Sequence, residues 1–146
     1  MPSKSHLKKV KTKAPSEARS RIMRAIKSSG TGPEETVGRW LLSLRFKFLR
    51  NSGDLAGRPD FVIPRPKVAL FVHGCFWHGH GCSRGSRKPK TNSAYWTAKL
   101  AGNKKRDRRV VAQLARIGWR TVIVWECHLG RPGARLKLLE SIRHGD

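Results

Sequence analysis

Acidic side chains are scarce in this sequence: nine Asp and Glu stand against 32 Lys and Arg, a formal net charge of +23. So few acids exclude a surface that neutralises itself, and a domain this basic repels itself unless a polyanion is near. The partner this implies is nucleic acid. Long apolar runs are missing as well. None approaches the roughly 20 residues of a membrane span, and no amphipathic anchor replaces one, so no membrane partner is expected. No signal peptide is evident, and the expected location is the cytoplasm, against the nucleoid. Three cysteines cannot all pair with one another, which leaves thiols or metal ligands in a reducing compartment.

What is present fits one domain. A chain of 146 residues can bury one core and is too short for two. Lys4, Lys8, Lys9, Lys11 and Lys13 crowd a segment with almost nothing apolar, so residues 1–15 read as a basic flexible arm and 16–146 as a single folded domain. Ser16 can cap a short helix to about Ile26. Thr31-Gly32-Pro33-Glu34 has the spacing of a capping box with an early proline, opening a helix with Val37, Trp40, Leu41 and Leu44 on its inner stripe.

Beyond Arg45 the pattern shortens. Phe46 to Leu49, Phe61 to Ile63 and Val68 to His73 read as strands separated by turn residues. A polar, glycine-rich stretch from Gly74 to Asn92 precedes a helix from Ser93 or Tyr95 to Ile117, with an interruption expected near Gly102 and a stop at Gly118. Thr121 to Trp125 is apolar almost throughout, as a buried central strand would be. Pro132 opens a last helix carrying Leu136, Leu139 and Ile142. The fold class is α/β, with helices covering a mixed sheet.

The densest chemistry lies in Val72-His73-Gly74-Cys75-Phe76-Trp77-His78-Gly79-His80-Gly81-Cys82, thiols and imidazoles on a loop leaving a strand. Cys75, His80 and Cys82, with the remaining cysteine Cys127 just beyond a strand, make a closed four-ligand zinc (Zn2+) set. With four protein ligands such a site is structural, since no position stays open for water. His73, His78 and His128 compete as ligands, and unrelated buried thiols are the plainer alternative. In Gly57-Arg58-Pro59-Asp60-Phe61-Val62 an acid enters a strand, where it can hold a hard cation such as magnesium (Mg2+) or merely pair with Arg58 in a turn. Phosphodiester hydrolysis needs the phosphate charge neutralised and a water activated, and carboxylate-bound magnesium supplies much of this. His78 is the candidate general base, with Asp107 to orient it. Its alternative role is a spare zinc ligand.

Gly57 to Val62, then Phe71 to Cys82, Arg106-Asp107 and Val122 to Cys127 resemble, in order, the motifs of the very short patch repair (Vsr) mismatch endonucleases. Arg19-Ser20, Met23 to Ile26 and Thr31 to Glu34 fit as well, so the resemblance runs from about residue 19 to about residue 128. It implies a restriction-endonuclease-like sheet with its Pro-Asp motif at Pro59-Asp60 and a structural zinc. It implies magnesium on Asp60 and on the backbone carbonyl of Val72, His78 as base oriented by Asp107, and His73 and Glu34 in support. Phe76, Trp77 and Trp96 would wedge into the duplex. The implied reaction is a nick in one strand, 5′ to the thymine of a T:G mispair left by deamination of 5-methylcytosine. The implied partners are that duplex and other repair proteins, met by a monomer. Val72 stands where the family has threonine, and Gly79 and Gly81 replace histidines flanking His80. The arm before Ser16 has no counterpart.

Two other functions share part of this pattern. A restriction-type nuclease would cut both strands without a mismatch. A non-catalytic zinc module would use the charge and the knuckle for binding alone, leaving Asp60, His78 and Asp107 without a purpose.

Overall fold

The computed structural model describes residues 30–144. The arm expected over 1–15 and the helix expected over 16–26 lie outside the described residues. Helix α1, Gly32–Ser43, begins as its capping spacing requires: the Thr31 hydroxyl accepts the Glu34 N–H at 3.4 Å, and Glu34 reaches back to accept the Gly30 N–H at 2.8 Å. Its buried residues are Glu34, Val37, Gly38 and Leu41, one stripe at helical spacing with an acid at its head.

Four strands follow as one sheet in the order β1-β2-β3-β4: β1 Leu49–Arg50, β2 Phe61–Ile63, β3 Val68–His73 and β4 Arg120–Trp125. The first two pairings are antiparallel and β3 runs parallel to β4, so the sheet is mixed. The strand expected over Phe46–Leu49 is shorter and later than its apolar pattern implied. Arg45 at φ 61° and the Phe46 N–H, bonded to the Leu41 carbonyl, still belong to the helix ending, so pairing begins only at Leu49. Phe48 nonetheless delivers its ring to the core, edge-on to Phe61 at 5.3 Å.

Alternation along β3 divides the interior. Val68 and Leu70 join Phe61, Ile63 and Val122 under α1 and under α3, Ala134–His144. Ala69 faces the other way, with Val110 and Leu114 of α2, Ser93–Arg116. Helix α2 continues without a break through Gly102, whose Cβ position meets nothing within 4 Å. On that open face the intrinsic cost of a mid-helix glycine, about 1 kcal/mol, is outweighed by packing on both sides of it. Its start, at Ser93, and the left-handed Gly118 after its end are where the sequence places them.

Two expectations are corrected. Strand β4 is not central: among the described residues it pairs with β3 alone, and only Val122 is buried. Its apolar character comes from helices on both faces and not from a second neighbouring strand. The last helix opens at Ala134 because Gly133, at φ 76°, still turns the chain, and its inward residues are Leu138 and Ile142 while Leu136 is 59% exposed. Arg120 donates to the Ser141 and Ile142 carbonyls, closing the end of α3 against β4. No helix among the described residues is long and apolar enough to cross a membrane.

Candidate active site and metal centre

Parallel strands end side by side, so β3 and β4 deliver His73 and Trp125, register partners, to the same rim of the sheet. A cleft of about 970 Å³ opens there, lined among others by Glu34, Asp60, Val72, His73, His78 and Asp107. Ligands bind at this end of open α/β sheets because the crevice outside the carboxyl ends of the strands is not filled by the chain.

Asp60 reaches the cleft by replacing a rung of the ladder. The β2–β3 register ends at Phe61 and Leu70, and the next N–H on that edge, Val72's, donates to Asp60 Oδ2 at 2.7 Å. The carboxyl is not paired with Arg58. Burial pushes it up to about 6, the negative charge of Glu34 adding to the shift and the Val72 N–H opposing it. Gly57 makes the approach possible, since at φ 75° its Cβ would lie 2.6 Å from a Val110 methyl.

Helix α2 supplies the opposite wall. Asp107 lies three residues before Val110 and seven before Leu114, so the buried stripe of the helix turns polar where it crosses the cleft. Asp107 Oδ2 meets His78 Nδ1 at 2.6 Å, a direct charge-assisted hydrogen bond that leaves His78 Nε2 for proton transfer. His73, His78 and Asp107 also lie close enough together for a metal. Two ligands of one ion would, however, stand about 2.9 Å apart or more, so the His78–Asp107 contact is a hydrogen-bonded pair. The His73 ring stacks on His78 at 3.6 Å and 7°, with its Nδ1 buried and without a partner among the described residues. Burial drives its pKa down to about 4, with the neighbouring His78 acting in the same direction, so His73 is neutral at pH 7.

Beside the cleft, Cys75, His80, Cys82 and Cys127 bring their ligand atoms within 4.8 Å of one another and could hold a metal ion. Cys127 Sγ and His80 Nδ1 are 3.5 Å apart, the S···N edge of a tetrahedron with bonds of about 2.3 and 2.0 Å. The competing imidazoles fall elsewhere: His73 and His78 line the cleft, and His128 only meets the His80 ring edge-on at 5.5 Å. Cys82 accepts the Gly85 N–H at 3.4 Å, which with His80 pulls its thiol down to about 6, whereas burial lifts Cys75 to about 12. Gly85 is required for another reason. A Cβ there would lie 1.9 Å from the His80 carbonyl oxygen, a backbone clash that no rotamer relieves. Gly85→Ala is therefore expected to lower the melting temperature, at a cost of about 1–3 kcal/mol or more, and to lower the metal content measured by elemental analysis. An unchanged variant would show that the loop does not need this turn.

Phe76, Trp77 and Trp96 form one mutually tilted cluster with ring centroids 5.1–6.0 Å apart. Trp96 is buried behind the other two, which are half-exposed. Three further residues touch the site: Asn103 did not stand out in the sequence, and Trp125 and Glu126 stood there only inside the Val122 to Cys127 motif, without a role of their own. Asn103, one turn before Asp107, donates to the Trp77 carbonyl at 2.9 Å. Glu126 accepts the Cys75 N–H at 3.1 Å, and Trp125 stacks on His80 at 4.2 Å. Their signal was position: Asn103 continues the inward stripe of α2, and Trp125-Glu126 leads directly into Cys127.

The family model described as "DNA mismatch endonuclease Vsr" matches residues 11–84. The type II nicking enzyme V.XorIIP of Xanthomonas oryzae pv. oryzae is 44% identical over 126 residues, covering 86% of this chain and 92% of the relative. The DNA mismatch endonuclease Vsr of Escherichia coli is 40% identical over 111 residues, covering 76% of this chain and 70% of the relative. The type II nicking enzyme V.NmeAIP of Neisseria meningitidis is 39% identical over 111 residues, with coverage of 76% and 79%.

Proposed function

This chain belongs to the Vsr family of DNA mismatch endonucleases, and from that premise we propose that it nicks one strand of duplex DNA, 5′ to the thymine of a T:G mispair, with magnesium in the cleft. The observation that carries the chemistry is the 2.6 Å His78–Asp107 pair in the same cleft as Asp60. Asp107 holds the proton on Nδ1, so His78 Nε2 can take one from the attacking water. His73, neutral and stacked on His78, keeps that ring in place without adding charge.

Asp60 and Glu34 fit a hard cation: two acids share the cleft, Glu34 raising the cost of charge on Asp60, and among the described residues no Lys or Arg is hydrogen-bonded to either. Asp60 would hold magnesium together with the Val72 carbonyl, and magnesium, when bound, neutralises the phosphate and stabilises the departing oxygen. The four-ligand cluster suits structural zinc, with three sulfurs and one nitrogen around a closed site. It would tie the loop carrying His78 to the end of β4. We assign the mixed sheet, with Pro59-Asp60 at a strand entry, to the restriction-endonuclease-like class, as one domain over 16–146. The name "nicking enzyme" borne by the relatives supports cutting one strand over cutting two.

The test is a magnesium-dependent nicking assay on labelled T:G and T:A duplexes. A nick confined to the thymine strand of T:G is expected. Equal cutting of both duplexes, or linear product from plasmid, overturns the mismatch reading.

Phe76 and Trp77, with Trp96 behind them, would read the mispair by wedging into the stack. Prying a step open costs a few kcal/mol, and less at a mispair that is already poorly stacked. The Phe76→Ala/Trp77→Ala protein is expected to lose its preference for T:G over T:A in binding while still melting cooperatively. A variant that keeps the preference excludes the wedge.

A further inference from the structure

Across the aromatic cluster from the cleft lies a second cavity of about 690 Å³, lined by Phe76, Arg84, Arg87, Lys88, Pro89 and Glu126. Glu126 lines both spaces, so the two are neighbours. The cavity is built by the turn that closes the metal loop, in which Ser86 and Arg87 donate their backbone N–H groups to the Cys82 and Arg84 carbonyls. Three cations meet one carboxylate here. That carboxylate is already engaged, since Glu126 Oε1 accepts the Cys75 N–H and lies 4.0 Å from Arg84 Nη1. Arg87 and Lys88 make no side-chain bond among the described residues, and both are exposed.

We propose that this cavity binds a backbone phosphate of the DNA strand flanking the step that Phe76 and Trp77 open. The duplex would then be held on both sides of the wedge, with the scissile phosphate in the cleft and a second phosphate here. This rests on the mismatch-nicking reading for the position of the DNA, and not on which bases are mispaired. The chemistry favours a phosphodiester oxyanion. Arginine offers paired N–H donors that match two phosphate oxygens and lysine adds a point charge, while the half-exposed face of Phe76 leaves room for the adjoining sugar. Opening a step costs free energy that flanking backbone contacts must offset. Arg87 and Lys88, without side-chain partners among the described residues, are placed beside the wedge to do so.

The experiment uses the full chain with its metals and an Arg87→Ala/Lys88→Ala variant, which should melt as the wild type and retain its metal because both side chains are exposed. Binding to T:G and T:A duplexes is measured against salt and then across duplexes carrying one methylphosphonate at each successive position. The slope of log K against log salt is expected to fall by about 0.9 for the lost phosphate contact. At one phosphate other than the scissile one, neutralisation should weaken the wild type about tenfold and the variant hardly at all. Equal losses for both proteins at every position, or an unchanged slope, overturn the proposal even if T:G nicking stands. A coupled phosphate found on both duplexes without any T:G preference would sustain the cavity and overturn the mismatch reading instead.

Discussion

Asp60→Asn is expected to reduce nicking by roughly 10³-fold or more, while the protein binds a T:G duplex nearly as the wild type does and melts no lower at pH 7–8 without magnesium. A metal that neutralises developing charge contributes several kcal/mol to the transition state, and each 1.4 kcal/mol is a factor of ten in rate. Asn keeps an oxygen to accept the Val72 N–H but loses the charge that holds a cation. The stability half follows from the raised pKa. Burial lifts Asp60 to about 6 from an ordinary 3.8, so between these values the folded protein keeps a proton that the unfolded chain has lost. Stability therefore falls as pH rises from about 4 to about 6, and above that range the charged carboxyl is a standing cost. Asn removes it. The melting temperatures of the two proteins should converge near pH 4 and separate in favour of the variant above pH 6. Robust cleavage by Asp60→Asn in magnesium would remove this residue from the active centre, and loss of binding with melting would reveal a folding role instead.

His78→Ala is expected to cost about 10²–10⁴-fold in single-turnover nicking, the usual worth of a positioned base, with DNA affinity changed little. Asp107→Asn should act in the same direction by releasing the Nδ1–H that the 2.6 Å contact holds, and His73→Ala should be milder, since His73 touches the base only through ring stacking. A His78→Ala protein within tenfold of the wild type would place the base elsewhere.

The strands at Phe61–Ile63 and Val68–His73 and the helix from Ser93 were legible because each is specified locally, by apolar residues between turn residues or by a glycine stop. The acid at Asp60 and the knuckle residues stood out because such types at such spacing have few other uses, and the ordered motifs pointed to the family that the comparisons show. Less legible was whatever depends on neighbours distant in the chain. An apolar strand looks the same at a sheet's centre as at an edge covered by helices, which is why β4 was misplaced. Leu136 and Leu138 are equally apolar, and only the packing of α3 decides that Leu138 points inward.

The sequence by itself determined the charge that calls for a polyanion, the inventory of ligands and acids, and the local punctuation of its elements, since these depend on residue types and short spacings. Tertiary structure alone decided which histidine joins which cluster of side chains. His78 and His80 are two residues apart, yet one finds Asp107 on α2 and the other finds Cys127 beyond β4, contacts spanning 29 and 47 residues. It also placed Asp60 against Val72 and aligned Glu34 with the cleft. A carboxyl or imidazole acquires its role from the partner it meets and the water it loses, and both are fixed only when helix and strand close around it.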